Sequence, residues 1–387
     1  MPAVLLSGRV TAQRVTAEWG VQGIPAFTET TIVPGGRSLG ELRIVQPTAM
    51  LHVAALGGRL RLIGTVDFEK YTIPHGELSP GSWGESFMDR RHPHTLVHEL
   101  MLVGGGQRVY LAAGKGFVPF GTDDPMSRPT VRFPVNHHLS QILERAVVLA
   151  GVRVGPATLE GSLFNGDEPV SPGSWPAWDR FGDSWSVRLG VSPVPGLETQ
   201  ASYARVKSPE DRGGAAPADR KWSASARWER NRWYGEIEWA RTSTADGFFV
   251  FPSVLAEGAV TLGRHRPYVR LERSDRPEEE RAFSSRFRTR RPLIDNSILG
   301  ITRWTVVTGG DALDLTWGAL RYTPFVEASW IGIARVGGGV FDPATFYGRT
   351  RGTAVTIGIR LATGMHMPRM GRYEPAAEAH MGGMRMH

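Results

Sequence analysis

The sequence contains no cysteine, which excludes disulfides, thiolate metal centres and cysteine nucleophiles. It also lacks any apolar run near the ~20 residues that a membrane-spanning helix requires. The N-terminal stretch MPAVLLSGRVTAQ offers only Val4, Leu5 and Leu6 in succession, short of the apolar core of a secretory signal. Residues 1–20 are therefore read as an N-terminal segment, either periplasmic or the product of a displaced start. HExxH spacing does not occur, so the usual zinc-protease site has no anchor. The formal net charge is +7, but the basic residues are dispersed, and no nucleic-acid partner is expected.

What the chain does have is glycine (47), proline (27) and tryptophan (12) in quantity, together with a repeated two-residue alternation. In Lys221–Arg241, Trp222, Ala224, Ala226 and Trp228 alternate with Lys221, Ser223, Ser225, Arg227 and Glu229. Beyond a turn, Trp233, Gly235, Ile237 and Trp239 alternate with Tyr234, Glu236 and Glu238. Period two marks strands with two unlike faces. Taking Arg230-Asn231 as a two-residue loop pairs Trp228 with Trp233 and Trp222 with Trp239, and a one-residue slip would scramble both faces. Gly57-Gly58 predicts a second hairpin, pairing Ala55 with Leu60, Val53 with Leu62, Leu51 with Gly64 and Ala49 with Val66. Its opposite face (Met50, His52, Ala54, Arg61, Ile63, Thr65, Asp67) is less purely polar. Leu189, Ile357 and Ile359 belong to further alternating segments.

About sixteen such strands fit between residues 21 and 362. Long connections fall near 70–95, 118–142, 165–183, 207–220, 274–297 and 336–352. Tight ones alternate with them at Gly57-Gly58, Gly104–Gln107, Gly155-Pro156, Ser192–Gly196, Arg230-Asn231 and Gly263–His265. The link near Thr308–Gly318 is the exception, moderately short. Long loops at one end and tight turns at the other characterise outer-membrane barrels. A soluble sandwich or propeller also alternates, but its apolar face closes into a core, where Trp at both ends of successive strands is unusual. The quartet Trp222, Trp228, Trp233 and Trp239 is therefore expected to form a lipid-facing girdle. The fold class predicted is all-β: a transmembrane antiparallel β-barrel spanning 21–362, followed by a flexible tail over 363–387.

The phrases GFVPFGTDDPMSRP, FPVNHHLSQILERA and GPATLEGSLFNGDEP, with QPTAMLHVAA and DRRHPHTLVHELML upstream, resemble a largely uncharacterised porin-like family of bacterial outer-membrane barrels. The resemblance covers about Val21 to Tyr373. It implies the fold and an outer-membrane location more than an activity. The chain departs from that family's pattern in its N-terminus and in not ending on an aromatic residue.

If the faces are as read, the inward positions carry mixed charge: Arg61, Asp67, Glu69, Arg153, Glu160, Arg188, Glu198, Arg227, Glu236, Glu238, Arg270, Glu272, Arg303 and Arg360. This lining predicts a passive channel for small hydrophilic solutes with a weak preference for anions. Asp123, Asp124, His137 and His138 lie in a long connection and are read as a loop constriction. With His92, His94 and His98 they offer oxygen and imidazole donors but no metal-ligand spacing. Ser140 beside these histidines gives a barrel-embedded hydrolase as an alternative, and a loop-plugged barrel with a binding or structural role is another. The acidic and basic run Pro277–Arg291 reads as a solvated loop, with lipopolysaccharide phosphate as a weaker assignment. The tail holds Met365, His366, Met367, Met370, His380, Met381, Met384, Met386 and His387. Thioethers with imidazole suit Cu(I) or Ag(I), against the simpler reading of a low-complexity end. No other cofactor is expected. The expected partners are outer-membrane lipid, lipopolysaccharide and small solutes, with an oligomer compatible.

Overall fold

In a computed structural model, seventeen strand segments form one closed antiparallel sheet. The structure describes residues 15–33, 35–72, 95–122, 127–128, 140–169, 172–209, 211–279 and 298–374. In chain order the segments are β1 (Thr16–Thr30), β2 (Leu39–Ala55), β3 (Leu60–Asp67), β4 (Val97–Gly105), β5 (Val109–Gly116), β6 (Arg145–Val154), β7 (Ala157–Phe164), β8 (Ser184–Val194) and β9 (Leu197–Lys207). There follow β10 (Ala218–Arg230), β11 (Trp233–Thr244), β12 (Phe249–Val260), β13 (His265–Glu279), β14 (Ile298–Leu313), β15 (Leu315–Trp317), β16 (Leu320–Gly339) and β17 (Arg351–Gly364). Short helices α1 (Glu69–Thr72) and α2 (Pro343–Tyr347) lie in connections. β15 continues β14 past Asp314, and both pair with β16, so the seventeen segments make sixteen staves. β1 closes the ring by pairing with β2 on one side and β17 on the other. Closure leaves no unpaired edge, the condition a sheet must meet to sit in lipid.

The faces sort as the alternation demands. Trp222, Trp228, Trp233, Trp239, Ile237, Leu189, Ile357 and Ile359 are all at least about one-third exposed on the outer surface, while Lys221, Ser223, Ser225 and Arg227 between them are buried inside. The outer aromatics gather into belts. Trp185, Tyr203 and Trp222 stand side by side on three neighbouring strands, with ring centroids 5.2 and 4.4 Å apart. Nearer the tight turns sit Trp228 and Trp233 and the exposed Trp19 and Trp317. Outward apolar residues between aromatic belts, with charge inside, are the signature of a membrane-spanning barrel.

Three local expectations are corrected. The β10–β11 turn is Asn231-Arg232, so Trp228 faces Gly235 and Ala224 faces Trp239. Tight hairpin turns need a left-handed first residue. Asn231 takes that conformation (φ 57°), as asparagine does more readily than arginine. The shift is two residues, so both faces survive it. The Gly57-Gly58 hairpin has the expected register throughout. The link near Thr308–Gly318 is strand as far as Trp317, with its turn at Gly318. β1 begins at Thr16 rather than near residue 21, pairing Thr16 with Ala54.

Candidate functional site in the barrel interior

The inner wall is a sequence of carboxylates and guanidinium groups in contact. On β7 and β8, Arg188 Nε lies 2.6 Å from Glu160 Oε2, and the Tyr110 hydroxyl on β5 donates to Glu160 Oε1 at 2.8 Å. On β12 and β13, Arg270 Nε donates to Glu257 Oε2 at 2.7 Å. Arg227 lies 2.6 Å from Glu229 and 3.9 Å from Glu236. Ser274 donates to Glu272 at 2.8 Å. Asp67 and Glu69 instead organise the upper end of β3: the Glu69 amide donates to Asp67 and the Gln46 amide to Glu69, each at 2.8 Å. Arg153 and Arg360, also on the inner face, donate to the carbonyls of Gly155 and Arg128 at 3.5 and 3.4 Å. Pairing matters because a charge withdrawn from water costs several kcal/mol unless a partner compensates it.

Arg303 departs from the expected lining. On β14 the buried, inward positions are Thr302, Trp304, Val306 and Thr308, so Arg303 falls on the outer face, paired with its cross-strand neighbour Asp275 at 2.6 Å. It sits toward the long-loop end, where an external charge meets lipid headgroups rather than acyl chains.

Among the described residues, two segments enter the barrel. The first is the connection between β5 and β6. Pro119 accepts from Ser186 on β8 (3.1 Å), the Gly121 amide donates to Ser202 on β9 (3.0 Å), and Thr122 donates to Ser225 on β10 (2.6 Å). Arg128 then reaches Glu238, Glu236 and Glu257 at 3.1, 3.3 and 3.7 Å. Its carbonyl receives Arg360 from β17, so this loop crosses the lumen. Gly121 makes the crossing feasible. It is left-handed (φ 71°), and a Cβ there would stand 1.7 Å from the Ser140 carbonyl. The proposed constriction residues Asp123, Asp124, His137 and His138, with His92 and His94, lie outside the described residues. His98, on β4, contacts Glu144 at 2.6 Å instead, and Ser140 is buried in the loop's return arm.

The second segment is the start of the tail: of the flexible end expected over 363–387, the part up to Glu374 lies inside the barrel, and 375–387 lie outside the described residues. Residues 365–374 turn inward and pack against the wall. Met370 joins Phe117, Leu143 and Met367 in an apolar cluster, and Tyr373 joins Ile63, Met101, Val103 and Tyr110 in another. The Tyr373 hydroxyl donates to Glu99 at 2.7 Å and accepts from the Phe117 amide at 3.0 Å. Burial foremost, with Glu99 beside it, pushes that hydroxyl well above the ordinary phenol range, so it remains a donor. His366 has its proton affinity lowered, by burial first and then by Arg321 and Arg360. The remaining proposed metal donors, His380, Met381, Met384, Met386 and His387, lie outside the described residues. Alternation missed Arg128, Glu257, Glu99 and Tyr373. A usable signal was the impure inner face of the β2–β3 hairpin: Ile63 is apolar there because a segment packs on it.

No family model matches the chain, and no curated protein does. Solved structures do. The anion-selective porin from Comamonas acidovorans is 12% identical, with TM-score 0.57 over 90% of this chain and 100% of its own. The trimer form of OmpT, an outer-membrane protein of Vibrio cholerae, gives 10%, 0.53, 91% and 99%. The outer-membrane channel DcaP of Acinetobacter baumannii gives 9%, 0.52, 92% and 98%. The barrel therefore has the fold of bacterial outer-membrane porins, as the resemblance in the sequence implied.

Proposed function

We propose that the chain is a channel of the bacterial outer membrane for small hydrophilic solutes, weakly selective for anions. The observation that carries this reading is the inner wall: a closed sixteen-stave barrel, a size that leaves an aqueous lumen unless loops fill it, lined by charged side chains. The wall's carboxylates are engaged by guanidinium groups, hydroxyls or backbone amides, whereas Arg153 and Arg360 donate to carbonyls. We infer that these two guanidinium groups, held by neutral carbonyls rather than carboxylates, add a positive field that favours anions. Conductance of the purified protein in a planar bilayer, with the reversal potential in a salt gradient, tests both parts. A reversal potential of strong cation selectivity overturns the preference, and a barrel silent at every voltage overturns the channel.

Burial inside favours a second reading, a plugged barrel with a binding or structural role. Arg188, Arg270 and Glu160 are only 1–2% exposed. The same bilayer recording separates the two. Lipopolysaccharide at the outer rim, where Asp275 and Arg303 lie, and self-association are compatible partners under either reading. For the tail, Met365, His366 and Met367 supply soft donors for Cu(I) or Ag(I), although the neighbouring Arg321 and Arg360 oppose a cation. Titration of the full chain with Cu(I) measures the balance.

A further inference from the structure

The wall formed by β3, β4, β8 and β9 holds a peptide, and that peptide is the chain's own. At the end of β17, Gly364 adopts a left-handed backbone (φ 75°) in which a Cβ would meet the Trp19 carbonyl at 2.1 Å. The next amide, of Met365, donates to that same carbonyl at 2.7 Å. Arg321 receives the turn, donating to the carbonyls of Gly364 and Met365 at 3.0 and 3.2 Å. Strand geometry stops there and the chain runs back into the lumen.

Inside, the segment's guanidinium groups, two of its carbonyls, its phenol and its apolar side chains meet complementary groups on the wall. Its two guanidinium groups share one carboxylate: Arg369 is bidentate on Glu198 at 2.8 and 3.1 Å, and Arg372 reaches it at 2.6 Å. Two of its carbonyls are held by wall arginines, Gly371 by Arg188 at 2.8 Å and Tyr373 by Arg61. Its phenol is held by Glu99. Its apolar side chains cover wall residues that face the lumen: Ile63, Met101 and Val103 are 5% exposed or less. An apolar patch facing a water-filled lumen is unfavourable, so the patch makes sense only with a segment on it.

We propose that Met365–Glu374 is a resident plug that enters from the tight-turn side of the barrel, seated in a wall site that recognises a basic peptide. The proposal rests on the channel reading above. Arg188 ties the plug to the crossing loop: the guanidinium that holds Gly371 also donates to the Gly121 carbonyl at 3.2 Å, while Glu160 fixes its orientation. The two inserts, from opposite ends, meet on one side chain. The Glu198 pairs are part-exposed, at 23% and 21% on Arg369 and Glu198, so salt screens them. The plug is seated firmly at low ionic strength and loosens as salt rises.

The test compares full-length protein with a chain ending at Gly364 in planar bilayers. Truncation is expected to raise single-channel conductance several-fold. The synthetic peptide MHMPRMGRYE, added on the tight-turn side, is expected to block the truncated channel, and its form with Arg369→Ala and Arg372→Ala is expected not to. Because truncation after the last strand is able to prevent folding, full-length Glu198→Gln and the double variant Arg369→Ala/Arg372→Ala are measured alongside. Both should shift conductance toward the unplugged value and weaken its salt dependence. Equal conductance in folded full-length, truncated and substituted proteins overturns the plug and leaves the channel. Failure of the wild-type peptide to block the truncated channel overturns the wall site. Silence of every form overturns plug and channel together.

Discussion

Replacing Ile237 with arginine places a charge where the barrel's orientation in lipid leaves it no partner. Ile237 is 59% exposed on the outer face of β11, between Trp233 and Trp239. It lies four residues above Trp233; at ~3.3 Å per residue and a tilt of ~45° it stands ~9 Å above that rim, toward the middle of an apolar band ~25 Å tall. An arginine near the midplane costs ~2–4 kcal/mol, and one at the interface ~0–1. Some of this is recovered as the side chain extends toward the nearer headgroups, so the lower half of the range is expected. Trp233→Arg, at the rim, forfeits aromatic burial but little electrostatic energy. The assay is reversible unfolding in lipid vesicles by denaturant, read by tryptophan fluorescence, with Ile237→Ala separating charge from lost apolar area. Two results refute the reasoning: Ile237→Arg no worse than Ile237→Ala, or a larger charge-specific loss at residue 233 than at 237. Either means that this face does not meet acyl chains.

Arg128→Gln removes the cation that Glu236, Glu238 and Glu257 share. The reversal potential should move toward cation selectivity, and thermal stability should fall by up to the ~3–5 kcal/mol of a broken buried pair; an unchanged reversal potential removes Arg128 from the pathway. Asp211 organises the β9–β10 loop by accepting from the amides of Gly213 and Ala215 at 2.8 Å and Ala216 at 3.2 Å. These amides, Gly213 foremost, hold its carboxyl below the ordinary range. A depressed folded value means the contribution is present above the unfolded value near pH ~3.9 and is lost as pH falls through the folded one. Tryptic cleavage after Arg212 at neutral pH should therefore be slow in the native protein and faster in Asp211→Ala, and the protection of this loop's amides relative to their intrinsic exchange rates should fall in acid only where Asp211 is present.

The wall of the barrel was legible because its constraints are local. Alternation at period two needs only neighbouring residues, and an antiparallel hairpin ties two such runs through one turn. This sufficed for the Gly57-Gly58 register and for the outward direction of Trp222, Trp228, Trp233 and Trp239. Where it failed, the failure was also local. At Asn231 the turn's handedness outweighed the symmetry of pairing Trp with Trp. At Arg303 the expected register set a charged residue inward, yet Trp304 holds the inward position. Its indole donates to Thr302 at 2.9 Å and packs edge-on against Tyr347, within an apolar cluster at the long-loop end that also holds Ile32 and Phe341.

The contents of the barrel were not legible, because nothing periodic marks a segment that fills an irregular space. Residues 365–374 read as low-complexity sequence rich in methionine, glycine and proline. Those same properties suit an insert: methionine adapts to uneven apolar surfaces, and glycine permits the left-handed turns at Gly364 and Gly371. The evidence for a filled interior lay elsewhere, in the wall. A strand facing only water has no use for Met101, Val103, Val147 and Leu149 on its inner side, and all four are buried there. On β3–β6 the inner face carries apolar Ile63, Met101, Val103, Val147 and Leu149 in the cluster that the crossing loop and the tail complete. From β10 to β13 it carries the carboxylates Glu236, Glu238 and Glu257, which Arg128 of the loop meets. In a barrel whose outer face must be apolar where it meets acyl chains, departures from polarity on the inner face therefore mark part of what the lumen holds.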